Sequence, residues 1–267
     1  MTQQPNVIAD LVADGDELDG LISGLAAADW ATPTPAPGWS IHHQVAHLAA
    51  TFRLAALAAA KPDAFRAVAS KLGPDFDANV RAAMAEFVAE PPESLLERWR
   101  TERRTAERAL GSVPLDQEVP WLVRPLPAGV LAAAGMMELF GHGQDIADAL
   151  GVQREYTDRI GHLVGFAVRT WDFGYLARGR TPPDTPFRFE LVAPSGALWT
   201  FGASDAVQRI TGPAADFCLL VTRRRHRDDL SLEAAGAEAD AWLDIAQAYR
   251  GPAGPGRRPG QFAPARR

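Results

Sequence analysis

Two hydrophobic periods divide this chain. Up to about residue 178 the apolar residues recur every three to four positions, and from Phe187 they alternate. The first period lays one face of a helix on a core, and the second does the same for a strand. Val7, Leu11, Leu18, Leu21, Ile22 and Leu25 predict a first helix over 5–28. Pro33, Pro35, Pro37 and Gly38 then break the chain, and Ser40 is a good N-cap for a second helix over 41–60. A short helix over 62–73 and longer ones over 75–89 and 93–111 follow, with Pro91 and Pro92 between the last two. The charges along 93–111 stand at i,i+4 spacing and read as a solvated face. Pro114, Pro120, Pro125 and Pro127 surround Trp121 in a structured loop. A helix over 127–150 closes at Gly151, a C-terminal cap.

One more helix is expected over 156–178. Beyond Pro186, Phe187, Phe189 and Leu191 alternate with Arg188 and Glu190, a strand signature. Pro194-Ser195-Gly196 turns the chain toward a hairpin partner at Leu198 and Thr200. Further strands are expected at 207–211 and 230–232, with helices over 213–223 and 237–249. The predicted architecture is a helical domain over 1–155 followed by a smaller α+β domain over 156–250. Residues 251–267, rich in Pro, Gly and Arg, are expected to be a disordered tail.

Charge and composition exclude several classes of function. A net charge of −6 gives no attraction to nucleic acid or anionic lipid. The lone Cys218 rules out an internal disulfide framework. No apolar run reaches the roughly 18 residues a membrane span needs. The first residues carry no basic region or apolar signal core, so a cytoplasmic location is expected. Among 27 basic residues only Lys61 and Lys71 are lysine, a bias shared with high-GC genomes.

The histidines carry the chemistry. His42, His43 and His47 cluster in SIHHQVAHL, and His43 and His47 share a helix face. In MELFGHGQDIADAL, Glu138 and His142 are also four apart. Such a pair can present a carboxylate oxygen and an imidazole nitrogen to one point, and a histidine from a neighbouring helix can add a third donor. Three N/O donors with a fourth position open is the usual form of a catalytic zinc site; nickel, iron(II) and manganese accept the same donors. Spacing alone leaves open whether His43 or His47 is the third donor. A carboxylate among Met136, Met137, Leu139 and Phe140 needs a partner. Asp145 lies near the same face and can orient a histidine or stand in solvent. Trp39 reads as a packing staple, Cys218 as core, and the run Arg223 to Arg227 as a solvated helix end.

Two segments together resemble a known family. PGWSIHHQVAHLAATFR is similar to the PGW…HL segment of the DinB-like, mycothiol-dependent maleylpyruvate isomerase N-terminal family. ELFGHGQDIADALG is similar to its second signature, E-x-x-x-H-G-x-D-x-x-x-A-L-G. Residues 187–250, with ITGPAADFCLLVTRRR, more loosely resemble the small domain that often follows. The resemblance implies an all-α four-helix bundle over about 5–155. It also implies a divalent metal, usually zinc, on His47, Glu138 and His142, with mycothiol as a thiol cosubstrate. His43 stands where aspartate is common; it and Asp145 are the candidates for proton transfer or ligand orientation. The implied function is a metal-dependent thiol transferase or isomerase with a small electrophilic substrate, compatible with a homodimer. A non-catalytic metal-binding stress or sensor protein and a metal-dependent hydrolase are the alternatives.

Overall fold

Capping side chains set where the helices begin. Asn6 accepts the backbone N–H groups of Ile8 and Ala9 at 3.1 and 3.2 Å and opens α1 (Val7–Ile22). The computed structural model describes residues 6–122 and 124–262. Position 5 of the expected first helix and positions 263–267 of the expected tail lie outside the described residues. The chain separates into two units, Met1–Arg154 and Glu155–Arg267.

In the first unit α1 stops short of the expected residue 28. The Asp29 carboxylate takes the Ala26 N–H, and a 3₁₀ turn over Asp29–Ala31 carries Trp30 into the core. There follow α2 (Ile41–Ala60), α3 (Pro62–Ala69), α4 (Phe76–Val88), α5 (Pro92–Gly111) and α6 (Ala128–Leu150). Gly151 closes α6 in the left-handed conformation. Helix α2 packs on α4, α5 and α6, and α1 packs on α5 and α6. The buried face of α2 is rich in alanine (Ala46, Ala49, Ala50, Ala55, Ala56, Ala58), which lets its neighbours approach closely. Phe52 of α2 meets Trp99 of α5 edge to face at 5.2 Å. The proline-rich loop holds a two-residue ladder, β1 (Glu118–Val119) with β2 (Leu126–Pro127), too short to show in the sequence period. Trp121 stacks on Phe65 of α3.

In the second unit the helix expected over 156–178 is two pieces, α7 (Gly161–Arg169) and α8 (Phe173–Leu176). Side chains bond the backbone at the break. The Thr170 hydroxyl donates to the Phe166 carbonyl, and the Trp171 carbonyl accepts the indole N–H of Trp242. Strands β3 (Phe187–Val192), β4 (Leu198–Phe201), β5 (Gln208–Pro213) and β6 (Glu233–Ala235) form one sheet in the order β4-β3-β5-β6. Phe189 stands opposite Phe201 in the antiparallel β3–β4 pair and opposite Ile210 in the parallel β3–β5 pair. Strand β6 falls just past the expected 230–232. Helices α9 (Ala214–Val221) and α10 (Ala237–Ile245) complete the unit, with Phe187, Phe189, Phe217 and Trp242 clustered in its core. Helix α10 ends before the expected 249, where the Ala248 N–H turns to the Val221 carbonyl.

One buried polar cluster fastens α5 to α1. Arg103 is 5% exposed, donates to Asp16 at 2.7 Å and to the Val12 carbonyl at 3.2 Å, and lies 3.5 Å from Glu107. Gly15 makes the room, because a Cβ there would collide with the guanidinium. Gly15→Ala should therefore cost about 1–3 kcal/mol by overpacking. Gly20→Ala, on the same helix with nothing within 4 Å, should be neutral or stabilising by up to about 1 kcal/mol. Thermal unfolding of the two variants, followed by circular dichroism, checks the contrast.

Candidate metal centre

Helix α2 brings His47, and α6 brings Glu138 and His142, to one point. His142 Nε2 lies 3.1 Å from Glu138 Oε2 and His47 Nε2 lies 3.5 Å from the same oxygen. The two imidazole centroids are 4.5 Å apart. One donor atom from each residue lies within 4.8 Å of the other two. Donors at ordinary bond lengths around a tetrahedral zinc ion stand about 3.3 Å apart. The observed spacings therefore fit an ion with only small side-chain adjustment.

The electrostatics also fit. Burial pushes the Glu138 carboxyl up, but hydrogen bonds from His142 and His47 outweigh it and hold the group well below the usual carboxylate range. Glu138 is thus ionised at neutral pH, between two imidazoles and with Met137 and Leu139 buried on either side. An anionic oxygen and two nitrogens are a donor set suited to a borderline-soft divalent cation.

Other side chains frame these three. Trp39 packs against His47 at 5.4 Å and stacks on His142 at 5.9 Å between ring centroids, so it walls the cluster as well as fixing entry to α2. Gln44 is fully buried; its Oε1 is 2.5 Å from His142 Nδ1, and its Nε2 is 2.8 Å from Thr34 Oγ1 and 3.4 Å from Asp145 Oδ2. Asp145 is fully buried too, and reaches His142 through Gln44. Sequence reasoning missed Gln44. Its signal was a polar residue amid the apolar positions Ile41, Val45 and Leu48, all of them buried.

His43 does a different job from His47. The Ser40 backbone N–H donates to His43 Nδ1 at 3.3 Å, and Ser40 Oγ is 2.9 Å from the same nitrogen. This is a capping box in which histidine stands in for the usual acidic residue. His42 faces away, 3.2 Å from the Val88 carbonyl, with burial lowering its pKa. Cys218, in the second unit, is buried, and burial pushes its thiol well up, which suits core packing and not nucleophilic chemistry. His43→Ala should lower stability by about 0.5–2 kcal/mol through loss of the cap. His43→Asp should restore most of it, and thermal melts of the two variants give the comparison.

Known proteins bear on this site. A family model described as the mycothiol maleylpyruvate isomerase N-terminal domain matches residues 11–147, the stretch that holds His47, Glu138 and His142. A second model, described as wyosine base formation, matches residues 183–234. Uncharacterized proteins from two strains of Mycobacterium tuberculosis are each 43% identical over 250 residues, covering 94% of this chain and 97% of theirs. The crystal structures of the mycothiol-dependent maleylpyruvate isomerase and of a point mutant of it match with a TM-score of 0.53 and 14% identity. They cover 80% of this chain and 86% of that one, a likeness of fold. The extent of the first match and the identity to the mycobacterial proteins decide the classification. This chain belongs to the mycothiol maleylpyruvate isomerase N-terminal domain family.

Proposed function

We propose that this protein is a zinc-dependent enzyme that uses mycothiol to transfer to, or isomerise, a small electrophilic substrate. The observation that carries the reading is the convergence of His47, Glu138 and His142 from two helices on one point. On this reading α1, α2, α5 and α6 are the DinB-like four-helix bundle. The residues 1–155 are then the metal-binding domain, and a cytoplasmic setting keeps the thiol reduced. The family, and the fold shared with the mycothiol-dependent maleylpyruvate isomerase, support the thiol and the isomerase chemistry.

His47, Glu138 and His142 would hold the ion, and the positive charge it supplies when bound would favour the thiolate form of a thiol at neutral pH. Glu138 contributes a formal negative charge that favours cation binding over an empty site. His47 and His142 contribute neutral nitrogens, so the first set of donors neutralises only half of a divalent charge. Trp39 keeps one side of the cluster dry, which strengthens every electrostatic interaction there. Of the two residues expected to move protons, His43 has Nδ1 committed to Ser40, so a proton would pass at Nε2. Asp145 is an anchor for Gln44.

The purified protein should carry about one divalent ion per chain, since the described residues hold one three-donor set. His47→Ala, His142→Ala and Glu138→Gln should each lose the ion on dialysis, while His43→Ala should retain it; elemental analysis reads this directly. Protein that takes up neither zinc nor nickel would remove the reading. Mycothiol should raise the melting temperature of the zinc-loaded chain and leave that of the Glu138→Gln chain unmoved. Turnover of maleylpyruvate with mycothiol is the first activity to assay, and a chain that binds zinc but shows no thiol-dependent shift would be a metal-binding protein without this chemistry.

A further inference from the structure

We propose that Gln44 is a positioning residue that fixes which nitrogen of His142 faces Glu138 and His47; the inference rests on reading that cluster as a metal centre. The amide of Gln44 lies against the nitrogen of His142 that points away from Glu138.

An amide side chain has the same shape with its oxygen and nitrogen exchanged, so its orientation must be derived from its neighbours. Two of those neighbours can only accept. One is the Asp145 carboxylate, 3.4 Å from the amide nitrogen. The other is the Trp39 carbonyl, to which Thr34 Oγ1 donates at 2.9 Å. The Thr34 hydroxyl hydrogen is thereby used, and its oxygen is left to accept from Gln44 Nε2 at 2.8 Å. Both contacts therefore require Nε2 to be where it is. The exchanged amide would set an oxygen against a carboxylate in a fully buried place, at the desolvation cost of unpaired acceptors.

With Nε2 so fixed, Oε1 faces His142 Nδ1 at 2.5 Å. An amide oxygen only accepts, so Nδ1 must bear a hydrogen. Nε2 is then the nitrogen that exchanges its partner: it holds the hydrogen that Glu138 accepts while no ion is bound, and it offers a lone pair to an ion that displaces that hydrogen. Nε2 is the nitrogen 3.1 Å from Glu138 Oε2, on the side of His47. The chain Trp39 carbonyl, Thr34, Gln44 and Asp145 thus selects the form of His142 that can bind an ion at Nε2. None of its members touches the ion. Gln44 lies three residues before His47 on α2, so one turn of helix supplies both a donor for the site and the group that orients the donor opposite.

The test uses the full chain labelled with ¹⁵N-histidine, in metal-free form and titrated with zinc. In the wild type, the ring nitrogen spectrum of His142 should show hydrogen on Nδ1. In Gln44→Leu the hydrogen should be on Nε2 alone, where Glu138 accepts it, and zinc affinity should fall about 10–100-fold. Gln44→Met has about the same reach but no amide oxygen to accept, and it should lose Nδ1–H and zinc affinity as Gln44→Leu does. A merely structural role for Gln44 would lower stability in both variants without moving the hydrogen. If Gln44→Leu fails to fold, the double variant Thr34→Val, Asp145→Asn decides, because it removes one acceptor that orients the amide and puts at the other position a group that can also donate, and it should give a mixture of the two His142 forms. Hydrogen found on Nε2 alone in the wild type, or Nδ1–H and zinc affinity unchanged in Gln44→Leu or, where that fails to fold, the hydrogen unmoved in the double variant, would overturn the inference. A wild type that has Nδ1–H yet binds no zinc would sink the metal centre and leave the orientation of His142 standing.

Discussion

The Glu138 carboxylate between two imidazoles is the interaction to which the helical unit is fitted. A charged oxygen on a largely buried helix is costly unless it is hydrogen-bonded. Here one imidazole comes from the same helix at i+4 and the other from α2, 91 positions earlier in the chain. The first pairing is guaranteed by helix geometry. The second holds only if α2 and α6 keep their separation to within a few tenths of an ångström. Small residues make that approach feasible. A Cβ on Gly135 would crowd Leu11 of α1 at 3.3 Å and touch Phe52 of α2 at 3.6 Å, and one on Gly143 would crowd Leu18 and Arg154. Each glycine costs α6 about 1 kcal/mol of helix propensity relative to alanine. They stand one turn before Glu138 and directly after His142, so the cost falls where close helix contact is needed.

Most of the helical unit was legible because its signals are local. Ser40, Asp75 and Gly151 stand at helix ends, and the apolar period alone places α2, α5 and α6 to within a residue or so. What escaped depends on contacts between distant parts of the chain. The β1–β2 ladder is two residues long and has no period. The break after α7 lies where Trp242, 71 positions away, donates to the Trp171 carbonyl. At the site, i,i+4 spacing exposed the Glu138–His142 pair. It could not tell His43 from His47, since both lie on one face of α2. The structure separates them by what Ser40 does: it draws His43 into the cap and leaves His47 one turn deeper. Gln44 was invisible for a related reason. A buried amide matters through the direction of its hydrogen bonds, and direction is set by Thr34 and Asp145, neither of which is near it in sequence.

The helical unit has a second buried polar cluster, and the contrast between the two says what each is for. Around Arg103, the positive charge is a guanidinium that cannot be deprotonated, and Asp16, Glu107 and the Val12 carbonyl surround it. Burial pushes the Glu107 carboxyl up and the guanidinium of Arg103 pulls it down, so a covalently attached cation is already present to balance the site. Such a cluster joins helices and has no room for anything more. Around Glu138 the acidic oxygen is matched by two imidazoles, whose charge is not permanent. On the proposed reading that arrangement has one negative charge and a choice of cations, a proton shared with a histidine or a metal ion. The Arg103 cluster is built around a permanent cation, and the Glu138 cluster would be built around an exchangeable one. Only the second would then bind and release a ligand without breaking a helix contact, with the amide of Gln44 orienting His142 toward it.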